Sequence, residues 1–299
     1  MISEQKSTDK KRILLIGGNR YVGARLRDML TRNLAISALA TVSRSDQKHN
    51  ATIHFVCDRK NVTALLRVFS EFEPDVIIDM ACFDGTDIEG IIDAFDNGYL
   101  PFLNHYIVVS TFFVYNVFKI DKYREAPLGD IDIATSPADN YTLRKIELEK
   151  RLFSSRLFNI SSILRLPFVF SADDYSGRFQ EMCKISVDSK QSVIESNHKF
   201  SLISKDFAAA GIKFLVTHEP VGFIDYASQG FLSSQDILEI IAETQQCTRS
   251  DASDMLAPNP YVVGDNLCSY SNKIPLAEDV VIAIKREAIK FFEIHKGQR

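Results

Sequence analysis

A chain of 299 residues, 45% hydrophobic and 25% charged, is long enough to bury a full core and to form roughly one to two domains. Its net charge of −4 and pI near 5.9 argue against nucleic acid as the main partner. No apolar run reaches membrane-spanning length, so no membrane partner is expected. Cys57, Cys82, Cys183, Cys247 and Cys268 form no C-x-x-C pair, which suggests neither a disulfide framework nor a metal site; Cys57 and Cys82 read as small packing residues.

Residues 1–11 read as a polar tail without an apolar leader, and cytoplasmic residence is the expectation. Lys10-Lys11-Arg12 reads as a solvated lead-in to the first strand. Ile13–Ile16 is a short apolar strand that runs into Gly17-Gly18-Asn19-Arg20-Tyr21-Val22-Gly23, and a helical pattern follows through Leu26, Met29 and Leu30. That is how a strand delivers the chain to a phosphate. Gly17 permits the tight turn, Gly23 lets the helix pack closely, and the helix start offers free N–H groups to a pyrophosphate. Where a G-x-x-G-x-x-G loop has its middle glycine this chain has Arg20, and an arginine near an adenosine half can pair with a 2′-phosphate.

Strands are then expected at Leu39–Ser43, Ile53–Cys57, Val76–Ile78, Tyr106–Val109, Ser162–Leu166 and Gly222–Ala227. Helical faces alternate with them, at Val62 to Phe69, Ile88 to Phe95, Leu143 to Phe153 and Phe207 to Val216, the last capped by Asp206. Short apolar strands alternating with helices predict an α/β, Rossmann-type, doubly wound parallel sheet with ligands at the strands' carboxyl ends. Residues 168–202 lack a clear period, Ser233 can cap a helix through Ile237 and Ile241, and a last helix runs from about Ala277 to His295. The expected organisation is a dinucleotide-binding domain over 12–167, with 200–230 returning to it. A small substrate lobe, interleaved in sequence, takes 168–199 and 231–299.

Tyr141 and Lys145 are four residues apart and share a helix face, where a lysine ammonium favours the phenolate and fits the tyrosine for proton transfer. A solvated helix face has the same spacing. Ser110 and Thr111 end the fifth strand with two hydroxyls that can point into the cleft or simply cap the strand.

Together the glycine loop, Thr111, Tyr141 and Lys145 resemble the extended branch of the short-chain dehydrogenase/reductase family, nearest to its nucleoside-diphosphate-sugar epimerases and reductases. Ser110 to Tyr115 resembles the family's Ser-Ser/Thr-x-x-Val-Tyr segment. Tyr141 to Lys145, with Glu149, resembles its active-site helix, and Leu164 to Pro167 its Arg-Pro step. Gly17 to Gly23 is similar to an atypical subgroup with Gly-Gly-Thr-Arg-Phe-x-Gly. The resemblance implies Tyr141 as acid/base, Lys145 as its pKa-lowering partner and ribose ligand, and Thr111 as the group that orients the reacting oxygen. It implies cofactor contacts from Gly17, Gly18, Asn19, Arg20, Tyr21, Val22, Gly23, Asp58, Arg59, Ala81, Cys82 and Pro167, and homodimerisation. Arg44, after the second strand, stands where an acid would bind ribose hydroxyls, so Arg20 and Arg44 together favour NADP(H) over NAD.

Phe83, Phe112, Phe113 and Arg178 are candidates for the substrate side, with Lys205 and Lys273 weaker ones. Phe112 and Phe113 cannot transfer protons, and they occupy positions where a 4,6-dehydratase carries an Asp-Glu pair. Reduction of a keto-sugar by NADPH is the favoured reaction. A 4-epimerase, a reductase of another small carbonyl compound, and a non-catalytic or RNA-associated binding protein are the alternatives.

Overall fold

The computed structural model describes residues 10–33, 35–46, 52–115, 140–186, 199–246, 273–275 and 277–295. Seven parallel strands form the main sheet: β1 (Lys11–Ile16), β2 (Ile36–Ser43), β3 (Ile53–Val56), β4 (Val76–Asp79), β5 (His105–Thr111), β6 (Ser161–Leu166) and β9 (Gly222–Asp225), in the spatial order β3-β2-β1-β4-β5-β6-β9. The order reverses between β1 and β4, which opens a crevice at the carboxyl ends where such sheets take ligands. Ile16 pairs with both Val42 and Asp79, and Thr111 with Leu166, so the strand ends around this crevice are in register.

Both faces of the sheet are buried, because alternate residues of each apolar strand point to opposite sides. Leu14, Ile16, Ile77 and Val108 pack under α2 (Val62–Phe72), α3 (Gly85–Asp96) and α4 (Asn140–Phe153). Ile13, Leu15, Ile78 and Ile107 pack under α1 (Tyr21–Leu30) and α6 (Lys205–His218). Helix α1 starts without a side-chain cap, whereas Asn61, Asp84 and Ser204 cap α2, α3 and α6. The α6 cap is therefore Ser204 and not Asp206, whose carboxylate pairs with Arg25 at 2.8 Å.

A second cluster lies beyond β6. Strands β7 (Phe168–Phe170) and β8 (Leu202–Ser204) pair in parallel, and α5 (Arg178–Ile185), α7 (Ser234–Gln246) and α8 (Val280–Ile294) pack on one another around Phe170, Phe179, Ile237, Ile241, Ile284 and Phe291. Ser233 caps α7 in a reciprocal box with Asp236, and Asp279 caps α8. Cys57, Cys82 and Cys183 are buried free thiols; Cys247 and Cys268 lie outside the described residues.

The start of the chain departs from a solvated lead-in. β1 already begins at Lys11, whose ammonium binds Glu219 and the Val216 carbonyl. Arg12 donates two hydrogen bonds to the Phe72 carbonyl. Both cations thus satisfy carbonyls that the last turns of α6 and α2 leave open.

Candidate active site

The glycine loop closes the end of β1. Gly17 adopts φ +87°, and a Cβ there would meet Ala81 at 3.0 Å. A Cβ on Gly23 would stand 2.4 Å from the Gly17 carbonyl oxygen, so only glycine lets α1 begin so near the strand. Asn19 Nδ2 donates to Ser43 Oγ at 2.9 Å and ties the loop to the end of β2, while the buried Asn19 Oδ1 has no hydrogen-bond partner. Tyr21, the first residue of α1, is held at φ +50°, and its hydroxyl donates to the Val169 carbonyl at 3.1 Å. Val22 is buried against the sheet.

Beside this loop opens a cavity of about 550 Å³, lined by Gly17, Ser43, Arg44, Cys57, Asp58, Arg59, Lys60, Ala81, Phe83, Asp84, Asp87 and Arg144. Its floor is a buried charge cluster. Arg59 clasps Asp79 through two bonds of 2.8 and 2.7 Å and also donates to the Asp87 carbonyl. Tyr106 and the Ala81 amide complete the Asp79 shell at 3.0 and 3.1 Å. Burial pushes the Tyr106 hydroxyl and the Cys82 thiol well up, so both stay protonated. Arg59 thus borders the cavity with both terminal nitrogens engaged and its buried Nε without a hydrogen-bond partner. Asp58 accepts from the Lys60 amide at 3.0 Å.

Arg20 does not line this cavity. It lines a second cavity of about 420 Å³, with Tyr21, Arg25, Asp173, Tyr175 and Lys205. The cations Arg25 and Lys205 there are neutralised by Asp206 and Asp173.

On α4, Lys145 is buried and Tyr141 is 44% exposed. The Lys145 ammonium donates to the carbonyls of Cys82 at 2.6 Å and Val109 at 2.9 Å, joining α4 to the ends of β4 and β5. It lies 5.9 Å from the centre of the Tyr141 ring and 5.5 Å from that of Phe83. Burial lowers its pKa, and the nearby Cys82, Asp79 and Glu149 work against that shift. Thr111 Oγ1 accepts from the Phe113 amide at 3.3 Å, which leaves the hydroxyl proton free to donate.

Beneath these groups Ser110 donates to Glu149, and Glu149 accepts three bonds from Arg165 at 2.7 to 3.2 Å. Arg165 also donates to Tyr115, which donates to Asp225 at 2.5 Å. Glu149 and Arg165 are both fully buried.

Of the substrate-side candidates, Phe83 and Phe113 are about half exposed. Phe112 departs from that reading: its ring is buried against Val114, Tyr115, Ile146 and Ala227, because the turn after β5 folds it inward. Arg178 donates to Ser176 at 2.8 Å and lies over the Phe168 ring at 4.4 Å. Pro167 is half-buried between β6 and β7. Lys273 donates to the Val221 and Phe223 carbonyls. Sequence reading passed over Arg144, although it immediately precedes Lys145 on the same helix.

The loop fits a dinucleotide: a cradle that admits only glycine, and a cavity at the order-reversal point of the sheet. Among the described residues no cluster of His, Cys, Asp or Glu could hold a metal, and no helix is long and apolar enough to cross a membrane.

No family model matches the sequence, and no curated protein matches it either. Solved structures do resemble it. The dTDP-glucose 4,6-dehydratase of Bacillus anthracis, in complex with NAD, has a TM-score of 0.72 at 13% identity over 95% of this chain and 97% of that one. The UDP-Glc/GlcNAc 4-epimerase of Campylobacter jejuni gives 0.65 at 14% identity, over 95% and 99%. A hypothetical dTDP-4-dehydrorhamnose reductase from Sulfolobus tokodaii gives 0.59 at 20%, over 79% and 82%. The chain shares the Rossmann-type fold of NAD-dependent epimerases, dehydratases and extended short-chain reductases.

Proposed function

We propose that this protein is a nicotinamide-dependent oxidoreductase that reduces a keto group on a nucleotide-linked sugar, with NADPH as the dissociable hydride donor. The observation that carries this reading is the anchored Lys145 beside Tyr141 on α4, with the Thr111 hydroxyl at the end of β5. Gly17, Gly18, Asn19 and Gly23 would hold the diphosphate, and Arg44 and Asp58 the adenosine end. When bound, the nicotinamide supplies hydride to the keto carbon. Tyr141 then gives its phenolic proton to the oxygen, and the Lys145 charge stabilises the phenolate that remains. Thr111 donates to the same oxygen and fixes its position. Lys145 has three N–H bonds and spends two on carbonyls, which leaves one for a ribose hydroxyl.

Phe83 and Phe113 supply apolar surface at the mouth of the site, and the elements around β7, α5, α7 and α8 form the substrate lobe in this reading. Phe112 and Phe113 stand against a 4,6-dehydratase, since neither phenyl ring moves a proton. Of the two arginines, Arg44 lines the 550 Å³ cavity and Arg20 lines the other. That observation favours a second reading, a 4-epimerase that retains NAD, the cofactor bound in the dehydratase structure.

Purified protein with NADPH and a panel of nucleotide-linked 4-keto-6-deoxy sugars separates the readings. Loss of NADPH absorbance matched by alcohol formation is the expected result. An isomerised sugar without NADPH loss, with a dinucleotide released on denaturation, would favour the epimerase. Failure to bind either dinucleotide would overturn both and return a non-catalytic binding protein to the front.

A further inference from the structure

Around the 550 Å³ cavity the charges are unevenly spoken for. Arg59 is neutralised by Asp79, and Lys60 stands 3.7 Å from Asp87. Asp84 is spent capping α3, where it accepts from the Thr86 and Asp87 amides. Two lining cations remain, Arg44 from the end of β2 and Arg144 from α4, and neither has a hydrogen-bond or ion-pair partner among the described residues. Both are exposed. Arg144 directly precedes Lys145 in the chain, so a group that engages it is tied to the helix that carries the proton-transfer residue.

We propose that Arg144 is a phosphate-binding residue of the cofactor site, reaching into the cavity from the catalytic helix. The assignment rests on the dinucleotide reading above and adds to it a cation from outside the glycine loop. An exposed guanidinium that has no ion-pair partner among the described residues and borders a cavity fit for a dinucleotide has phosphate oxygens as its natural partner, through the planar fork that recognises them. The partner oxygens belong either to the 2′-phosphate or to the diphosphate. Paired with them, Arg144 would hold the first turn of α4 against the bound cofactor and so help set the position of Tyr141.

Calorimetric titration of NADPH and NADH into wild-type protein, Arg144→Gln and Arg144→Lys decides the matter without any turnover. Arg144 is an exposed helix residue, and comparable melting temperatures for the three proteins are expected. Loss of the contact should weaken NADPH binding by roughly tenfold or more in Arg144→Gln, with only part of it recovered in Arg144→Lys, which keeps the charge and loses the fork. Unchanged NADH affinity would assign the 2′-phosphate, and an equal loss for both dinucleotides the diphosphate. Unaltered affinity in Arg144→Gln would overturn the assignment while leaving the proposed function intact. A lysine variant as weak as the glutamine one would assign the contact to the planar fork, and full recovery in lysine to the charge alone. Wild-type protein that binds neither dinucleotide would overturn the proposed function and this assignment with it.

Discussion

Tyr141 and Lys145 divide their work by environment. The lysine is buried and held by two carbonyls, so its place is fixed before any ligand arrives, while the tyrosine stays half exposed where a substrate can reach it. Removing the phenolic oxygen should therefore cost chemistry and leave binding alone. In Tyr141→Phe, kcat is expected to fall by roughly 10²- to 10⁴-fold with dinucleotide affinity nearly unchanged. Steady-state kinetics beside a binding titration checks both halves, and a parallel loss of affinity would assign Tyr141 a binding role instead. These residues were legible in the sequence because i, i+4 spacing on a helix states a shared face. Arg20 was not. The sequence says that it follows a glycine loop, but which cavity its side chain lines depends on how α1 sits against α6 and the segment after β7. Phe112 was lost for the same kind of reason, since a turn of two residues decides which of two adjacent rings goes inward.

The elements that build the crevice are held by contacts too close or too buried to tolerate change. Gly23→Ala would push a methyl group into the Gly17 carbonyl and force α1 off the strand. We expect a lower melting temperature and lost dinucleotide binding; an alanine variant that binds normally would show that the loop can relax. The Glu149–Arg165 pair ties α4 to β6, and its Ser110 branch ties both to β5 beside Thr111. Arg165→Met strands two buried carboxylates, Glu149 and Asp225, at a cost of about 3–5 kcal/mol in urea unfolding. A loss under 1 kcal/mol, by the same scale, would mean that the carboxylates find protons or water instead. The seven strands of the main sheet were readable because each is apolar and bounded by turn residues. The three-residue strands β7 and β8 were not, because at that length pairing is decided by a partner more than thirty residues away and not by local pattern.

At the scale of the whole molecule, the floor of the sheet carries an acid-sensitive group far from the site. His105 is fully buried at the start of β5, where its Nε2 meets Ser162 Oγ at 2.8 Å and its Nδ1 has no partner. Burial, helped by the Lys11 charge and opposed by Glu219, pushes its pKa from 6.5 down to about 4. A folded-state pKa below the unfolded one means that the neutral form supports folding. That support is complete above pH 6.5 and is lost as the pH falls towards 4. The loss is about 3 kcal/mol at most. Unfolding curves at steps across this window should show the decline in wild-type protein and a shallower one in His105→Gln; equal slopes would place the acid sensitivity elsewhere.

The account as a whole rests on hydride passing from a bound nicotinamide to a sugar carbon under the proton of Tyr141. The most direct measurement is turnover with NADPH deuterated at the transferring position of the nicotinamide, with mass analysis of the sugar product. The account predicts that the reduced sugar carries the deuterium on carbon, and that this labelled product forms roughly 10²-fold or more slowly in Tyr141→Phe. An isomerised sugar without deuterium would contradict it, because the hydride would then have come from the substrate and returned to it.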